Sequence, residues 1–133
     1  MLPQANRLKH RRDFQAVYQK GIRRSGRYFT LRGLRQRPQI QKKSSQVSSE
    51  SMVVSKPPTR IGISISQKVS KKAVVRNRIK RQMRGALRHL LPRLSPGWNL
   101  AIVVRQTAVT CDYAEFLREL EELLVEAEVI NGN

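Results

Sequence analysis

The sequence predicts a small α+β domain with its helices packed on one sheet. Three observations carry that prediction. The chain has 133 residues, a length that supports one domain. Its apolar residues switch between a helical and a strand period in the order helix, strand, loop, strand, helix, strand, helix. Its hydrophobic content of 39% is modest but sufficient for a small core.

The elements follow in chain order. Asp13–Lys20 reads as a short helix, because Phe14, Val17 and Tyr18 fall at i, i+3 and i+4 on one face, and Gly21 follows as a stop. Arg27–Leu34 reads as a strand that begins with Tyr28-Phe29 and is weakened at Gly33. Residues 36–58 are rich in Gln, Ser, Lys and Pro and lack periodicity. Such a stretch cannot bury enough apolar area to offset its ordering entropy, so it is expected to be a flexible, low-complexity insertion. Within it only Met52-Val53-Val54 has strand character. Arg60–Ser66 alternates strictly, with Ile61, Ile63 and Ile65 on one face and Gly62, Ser64 and Ser66 on the other. Ala73–Leu91 has a helical pattern closed by Pro92. Leu100–Val104 is a continuous apolar run, as expected of a central strand. Asp112 and Glu115 form a capping-box-like start to a last helix striped by Phe116, Leu120, Leu123, Leu124 and Ala127. Its other face is acidic and is expected to point away from any polyanion.

Charge narrows the function. Of the 27 Lys and Arg residues, 26 precede Thr110, where they meet only Asp13 and Glu50, a net of +24. The other seven acids crowd into residues 112–128. Charge this one-sided repels itself unless a polyanion neutralises it, and nucleic acid is the default partner. The lone Cys111 excludes an intrachain disulfide and a Cys-based metal site, which fits a reducing compartment. No apolar run approaches the ~20 residues of a membrane span, and the polar N-terminus lacks a secretory signal. A soluble, cytoplasmic protein is expected.

The densest charge lies in Lys68–Arg93, with ten cations and no acid. On a helical projection Ile79, Met83, Ala86, Leu87 and Leu90 share one face, and Asn77, Arg81, Arg84 and Arg88 lie almost opposite. Lys80 and Arg76 flank that stripe on one side and Arg78 on the other. A solvated face normally mixes signs, since like charges at i,i+4 destabilise by ~0.2–0.5 kcal/mol per pair. The acid-free series Arg76–Lys80–Arg84–Arg88 therefore favours an external anion over a bare solvated face. The predominance of Arg suits bidentate phosphate contacts.

At this point a family resemblance emerges. Lys71-Lys72-Ala73-x-x-Arg76-Asn77-Arg78-Ile79-Lys80-Arg81-x-x-Arg84 resembles the "RNR" signature of the bacterial ribonuclease P protein subunit. Arg7-Leu8-Lys9 with Asp13-Phe14-x-x-Val17-Tyr18-x-x-Gly21 resembles that family's N-terminal segment, and Arg60–Ser66 its strand before the signature. The resemblance covers nearly the whole chain outside residues 36–58. It implies a single domain over 1–133 with a four-stranded mixed sheet and three helices. The basic helix would lie in a left-handed βαβ crossover, a fold class shared with the second domain of a small-subunit ribosomal protein. It implies an accessory subunit of a ribonucleoprotein endoribonuclease that removes the 5′ leader of precursor tRNA. The RNA would carry the active site, so no protein residue would be catalytic, and Mg2+ would be bound mainly by the RNA.

The resemblance also implies site residues and partners. Lys71, Lys72, Arg76, Asn77, Arg78, Lys80, Arg81, Arg84 and Arg88 would contact the catalytic RNA. Phe14, Tyr18, Ser64, Ser66 and Lys68 would line the leader's path. Partners would be ribonuclease P RNA and precursor tRNA, with no membrane, and one monomer per RNA. Gln67, where the family commonly has Lys, and Gly85, where it commonly has an acid, depart from the pattern without removing the signature.

The residues alone leave other readings open. Phe14 and Tyr18 could be core. Tyr28 and Phe29 point to opposite strand faces, so at most one could meet RNA. Trp98 reads as a packing cap on the sheet, and Cys111 as a buried filler. His10 and His89 lack partners at metal-ligand spacing. On charge alone, a structural ribosomal protein and a DNA-compacting protein remain alternatives.

Overall fold

In the computed structural model, which describes residues 3–36, 39–40, 54–55 and 57–130, three α-helices surround a four-stranded sheet. The chain runs α1 (Arg11–Lys20), β1 (Ile22–Ser25), β2 (Phe29–Arg35), β3 (Gln39–Ile40), β4 (Val54–Ser55), β5 (Arg60–Ser64), α2 (Ala73–Leu90), β6 (Trp98–Val104) and α3 (Tyr113–Glu126). The sheet order is β1-β2-β6-β5. β1–β2 and β2–β6 are antiparallel and β5–β6 is parallel, so the sheet is mixed and α2 fills the β5-to-β6 crossover. Residues Arg7 and Leu8 run along the outer edge of β5. Arg7 bridges Ile61, and the Leu8 N–H donates to the Ile61 carbonyl at 3.0 Å.

The central position of β6 follows from its composition, because its seven residues are buried or half-buried. Strand alternation divides the core in two. Leu100, Ile102 and Val104 face the layer of α2 and α3, where Phe29, Leu31, Ile79, Met83, Leu87, Phe116 and Leu124 complete the main core. The Phe29 and Phe116 rings meet with centroids 5.2 Å apart. Ala101 faces the other way and packs with Leu8 and Val17 under α1, with Phe14 and Leu34 at the margin. Each large apolar side chain buried in this way contributes roughly 1.5–3 kcal/mol.

The projected apolar face of the basic helix and the buried set coincide: Ile79, Met83, Ala86, Leu87 and Leu90. The last helix likewise buries Phe116, Leu120, Leu123 and Leu124, and Asp112 Oδ1 accepts the Glu115 N–H at 2.9 Å, as the capping reading requires. Trp98 is buried, with the Arg35 guanidinium 5.1 Å from its ring centroid.

Two sequence expectations are corrected. β1 had no counterpart in the pattern, because all four of its residues are exposed and no alternation marks it. The strand read as Arg27–Leu34 begins at Phe29, because residues 26–28 form the turn from β1. The cause is Glu119 on α3. Its carboxylate accepts the N–H groups of Arg27 at 2.6 Å, Tyr28 at 2.7 Å and Phe29 at 3.0 Å. A Cβ at Gly26 would sit 2.7 Å from Glu119 Cδ, so the turn needs glycine to approach the carboxylate this closely. Of the three residues given strand character in the insertion, Val54 begins β4, and Met52 and Val53 lie outside the described residues; β4 pairs with β3 at Gln39–Ile40, a stretch of the insertion in which no strand was expected.

Cys111 is buried at the start of α3. Burial, reinforced by the carboxylates of Glu115 and Asp112, pushes its thiol up to about 12.

Two outcomes are expected. Glu119→Ala leaves three turn N–H groups without their charged acceptor and lowers stability by about 1.5–3 kcal/mol in urea unfolding; a change below ~0.5 kcal/mol would contradict the clamp. The native thiol ionises above its ordinary value of 9.0, so its contribution to stability is complete below that pH and fades as pH rises toward about 12. At pH 9, iodoacetamide should therefore label Cys111 at least about tenfold more slowly in the native chain than in urea, from roughly tenfold per pKa unit.

Candidate nucleic-acid interface

Helix α2 presents its cations as a ridge. Asn77, Arg78, Arg81, Arg84 and Arg88 are exposed, as are Lys71 and Lys72 just before the helix, while Arg76 and Lys80 are half-buried. Two of these guanidiniums also serve the fold. Arg76 Nη1 donates to the Ser70 carbonyl at 2.7 Å, tying the preceding loop to the helix, and Arg78 Nη2 donates to the Val109 carbonyl at 2.8 Å. Both acceptors are neutral, so neither positive charge is cancelled. Ion pairs among the described residues join Arg60 to Asp13 at 4.0 Å and Arg93 to Glu121 at 2.8 Å; neither draws on α2.

Three of the five acids of α3 are occupied elsewhere, which refines the expectation that they simply point away. Glu119 holds the β1–β2 turn, Glu121 pairs with Arg93, and Glu115 accepts the Tyr28 hydroxyl. That hydrogen bond, followed by burial, raises the Tyr28 hydroxyl above its ordinary value. No acid lies in the first turn of α2, and its N-cap, Lys72, makes no side-chain capping bond. The first-turn N–H groups and the helix dipole there favour an anion.

A second feature adjoins the ridge. A cavity of about 240 Å³ opens between the N-terminal segment, α1, β5 and α2. Its walls are Arg7, Leu8 and Lys9, the Phe14 ring, Ile61, Gly62 and Ile63, and the side chains of Lys80 and Arg84. Phe14 occupies the space that a side chain at position 62 would need: a Cβ there would lie 2.2 Å from Phe14 Cζ. One aromatic ring and several cations thus converge on one recess, an arrangement that accepts an unpaired base and its phosphates.

The predicted site residues do not all meet there. Phe14 is in the cavity, but Tyr18 lies one helical turn on, 38% exposed. Its ring is covered by the Arg32 guanidinium at 4.9 Å. Ser64 continues the Gly62 face of β5. Ser66 and Lys68 fall in a separate open hollow at the ends of β5 and β6, with Lys71, Arg105 and Thr107. Lys80 and Arg84, assigned to the ridge, border the cavity as well, so the two surfaces are continuous. The sequence reading missed Arg7 and Lys9 as cavity walls and Arg32 as the partner of Tyr18. Arg7 and Lys9 bracket the buried Leu8, a signal visible in the sequence; nothing local marks Arg32.

Comparison with known proteins places this geometry. The family described as Ribonuclease P matches residues 2–128. A ribonuclease P protein component of Nostoc punctiforme is 54% identical over 139 residues, covering 99% of this chain and 98% of that protein. Its counterpart in Cyanothece sp. is 54% identical over 132 residues, covering 99% of each. Among solved structures, a Staphylococcus aureus RNase P protein mutant with defective mRNA degradation activity matches with a TM-score of 0.74 at 27% identity, covering 96% of this chain and 92% of that one.

Gly62→Ala tests the cavity's construction. The added methyl displaces the Phe14 ring, whose far end is free to swing, so the chain should stay folded with a stability loss of about 1–3 kcal/mol and altered Phe14 ring resonances. Unchanged ring resonances would contradict the contact.

Proposed function

The chain belongs to the ribonuclease P protein family, and on that premise we propose that it binds the catalytic RNA through α2 and the 5′ leader of precursor tRNA beside α1. It thereby assists magnesium-dependent endonucleolytic removal of the leader in the cytoplasm. The observation that carries this reading is the α2 ridge: a row of cations with no ion pair among the described residues, docked by an apolar face of Ile79, Met83, Ala86, Leu87 and Leu90.

In this reading Arg76, Asn77, Arg78, Lys80, Arg81, Arg84 and Arg88 lie along phosphates and 2′-hydroxyls of the RNA, with Lys71, Lys72 and the bare first turn of α2 at one end. Arg76 and Arg78 reach their carbonyl partners through single nitrogens, so other guanidinium N–H groups remain to meet phosphate. The leader enters the cavity, where the Phe14 ring stacks on a base and Lys80 and Arg84 meet its phosphates. Stacking tolerates any base, which suits leaders of varied sequence. Ser64, Ser66 and Lys68 extend the polar lining toward the strand ends.

The protein supplies affinity and position. In this reading magnesium is held mainly on the RNA, where it supplies the hydrolytic chemistry. No helix among the described residues is long and apolar enough to cross a membrane. One protein monomer per RNA is the stoichiometry that a single ridge would serve.

Reconstitution with a bacterial ribonuclease P RNA tests the proposal. Cleavage of precursor tRNA at low magnesium should be faster with the protein than without it; no gain would reject it. Affinity for the RNA should fall steeply with salt, and Arg81→Ala with Arg84→Ala should reduce the slope of log K against log salt by about two. Phe14→Ala with Tyr18→Ala should weaken precursor binding by about 1–3 kcal/mol per lost stack while sparing mature tRNA. Equal losses for both would contradict the leader assignment.

A further inference from the structure

The α1 face of the sheet carries a basic feature at its far edge that neither the ridge nor the cavity uses. Helix α1 crosses the strands rather than running along them. Phe14 sits over Gly62 of β5, Val17 packs against Ala101 of β6, and Tyr18 lies by Arg32 of β2. The helix ends at Lys20, and the chain turns through Gly21 into β1, the outermost strand. A line from Phe14 to Tyr18 therefore leads toward β1.

Register fixes what stands there. Gly62 pairs with Ala101, Ala101 with Arg32, and Arg32 with Arg23, so these four form one row across the sheet. Alternation puts them all on the α1 face. The next row on that face is Ser64, Val103, Thr30 and Ser25. From β5 to β1 the row spans three inter-strand steps, about 14 Å. Beyond the ring of Tyr18 its outer end is two arginines directly opposite each other.

Cross-strand like charges destabilise a pair, and no acid among the described residues forms an ion pair with this one. Arg32 is held against Tyr18 by neutral partners: its guanidinium covers the ring, and Nη1 donates to the Tyr18 carbonyl at 3.4 Å. Arg23 is exposed, and its guanidinium has no partner among the described residues. Cations on an edge strand often serve only to keep other strands from pairing there. Arg24, on the opposite face of β1, is enough for that, and its Nη1 folds onto the Arg23 carbonyl at 2.9 Å.

We propose that Arg23 and Arg32 extend the single-stranded RNA track past Tyr18 to the sheet edge, so that the protein holds a longer leader than the Phe14 cavity alone accommodates. The extension rests on the leader reading given above. Arg32 is a positioning residue, which fixes the Tyr18 ring and shares its charge with the track. Arg23 contacts the phosphate that follows.

The test uses the reconstituted ribonucleoprotein with mature tRNA and with precursors of graded leader length. The wild-type protein should gain affinity from a short leader and gain again from a longer one. Arg23→Gln should keep the first gain and lose the second, a two- to fivefold weakening of the size expected for one exposed charge contact. The salt dependence for the long leader should drop by about one phosphate, and Arg23→Lys, which keeps the charge, should behave as wild type. If wild type and Arg23→Gln match at every leader length while both distinguish precursor from mature tRNA, the extension is wrong and the cavity assignment stands. If wild type gains nothing from any leader, the underlying leader reading fails and the extension with it.

Discussion

Glu119 accepts three consecutive backbone N–H groups of the β1–β2 turn, and much of the molecule's electrostatic layout depends on that contact. Charge-assisted bonds of this kind are about twice as strong as neutral ones. They anchor α3 against the hairpin with its apolar stripe on the sheet. Glu115 and Glu121 are drawn to Tyr28 and Arg93 by the same placement. In a chain with nine acids and 27 Lys and Arg residues, each carboxylate committed in this way is one that cannot neutralise α2.

The sheet then acts as a partition. One face carries the main apolar core beneath α2 and α3; the other carries α1 and a narrower core around Ala101. Because α2 occupies the crossover between parallel strands, its far side is turned to solvent while its near side is locked by five buried side chains. Lys80 and Arg84 reach the edge of the sheet, where they meet the cavity that Phe14 and Gly62 shape on the opposite face.

The contacts that build the recess come from four separated stretches, and each has its own local logic. Leu8 docks by strand-like pairing to Ile61, Phe14 by helical spacing from Val17, Gly62 by its lack of a Cβ, and Lys80 and Arg84 by helical spacing from buried Ile79 and Met83. The α2 ridge and Phe14 were thus legible before any fold was known. Tyr18 was legible as a residue type at the right spacing, but its guanidinium cover was not, because Arg32 is 14 positions away and its neighbourhood is set by strand pairing.

Composition and periodicity by themselves determined the three helices, the central apolar strand, the alternating strand of isoleucines, the capped start of α3 and the acid-free cationic face, because each is a local pattern written at 3.6 or 2 residues per repeat. Tertiary structure alone decided the edge strand β1, whose Ile-Arg-Arg-Ser has no buried residue to print a pattern. It also decided where the carboxylates of α3 go, since a Glu read in isolation is only a solvated charge. Strand registers, and hydrogen bonds between residues some 90 positions apart as between Arg27 and Glu119, leave no trace in either sequence neighbourhood.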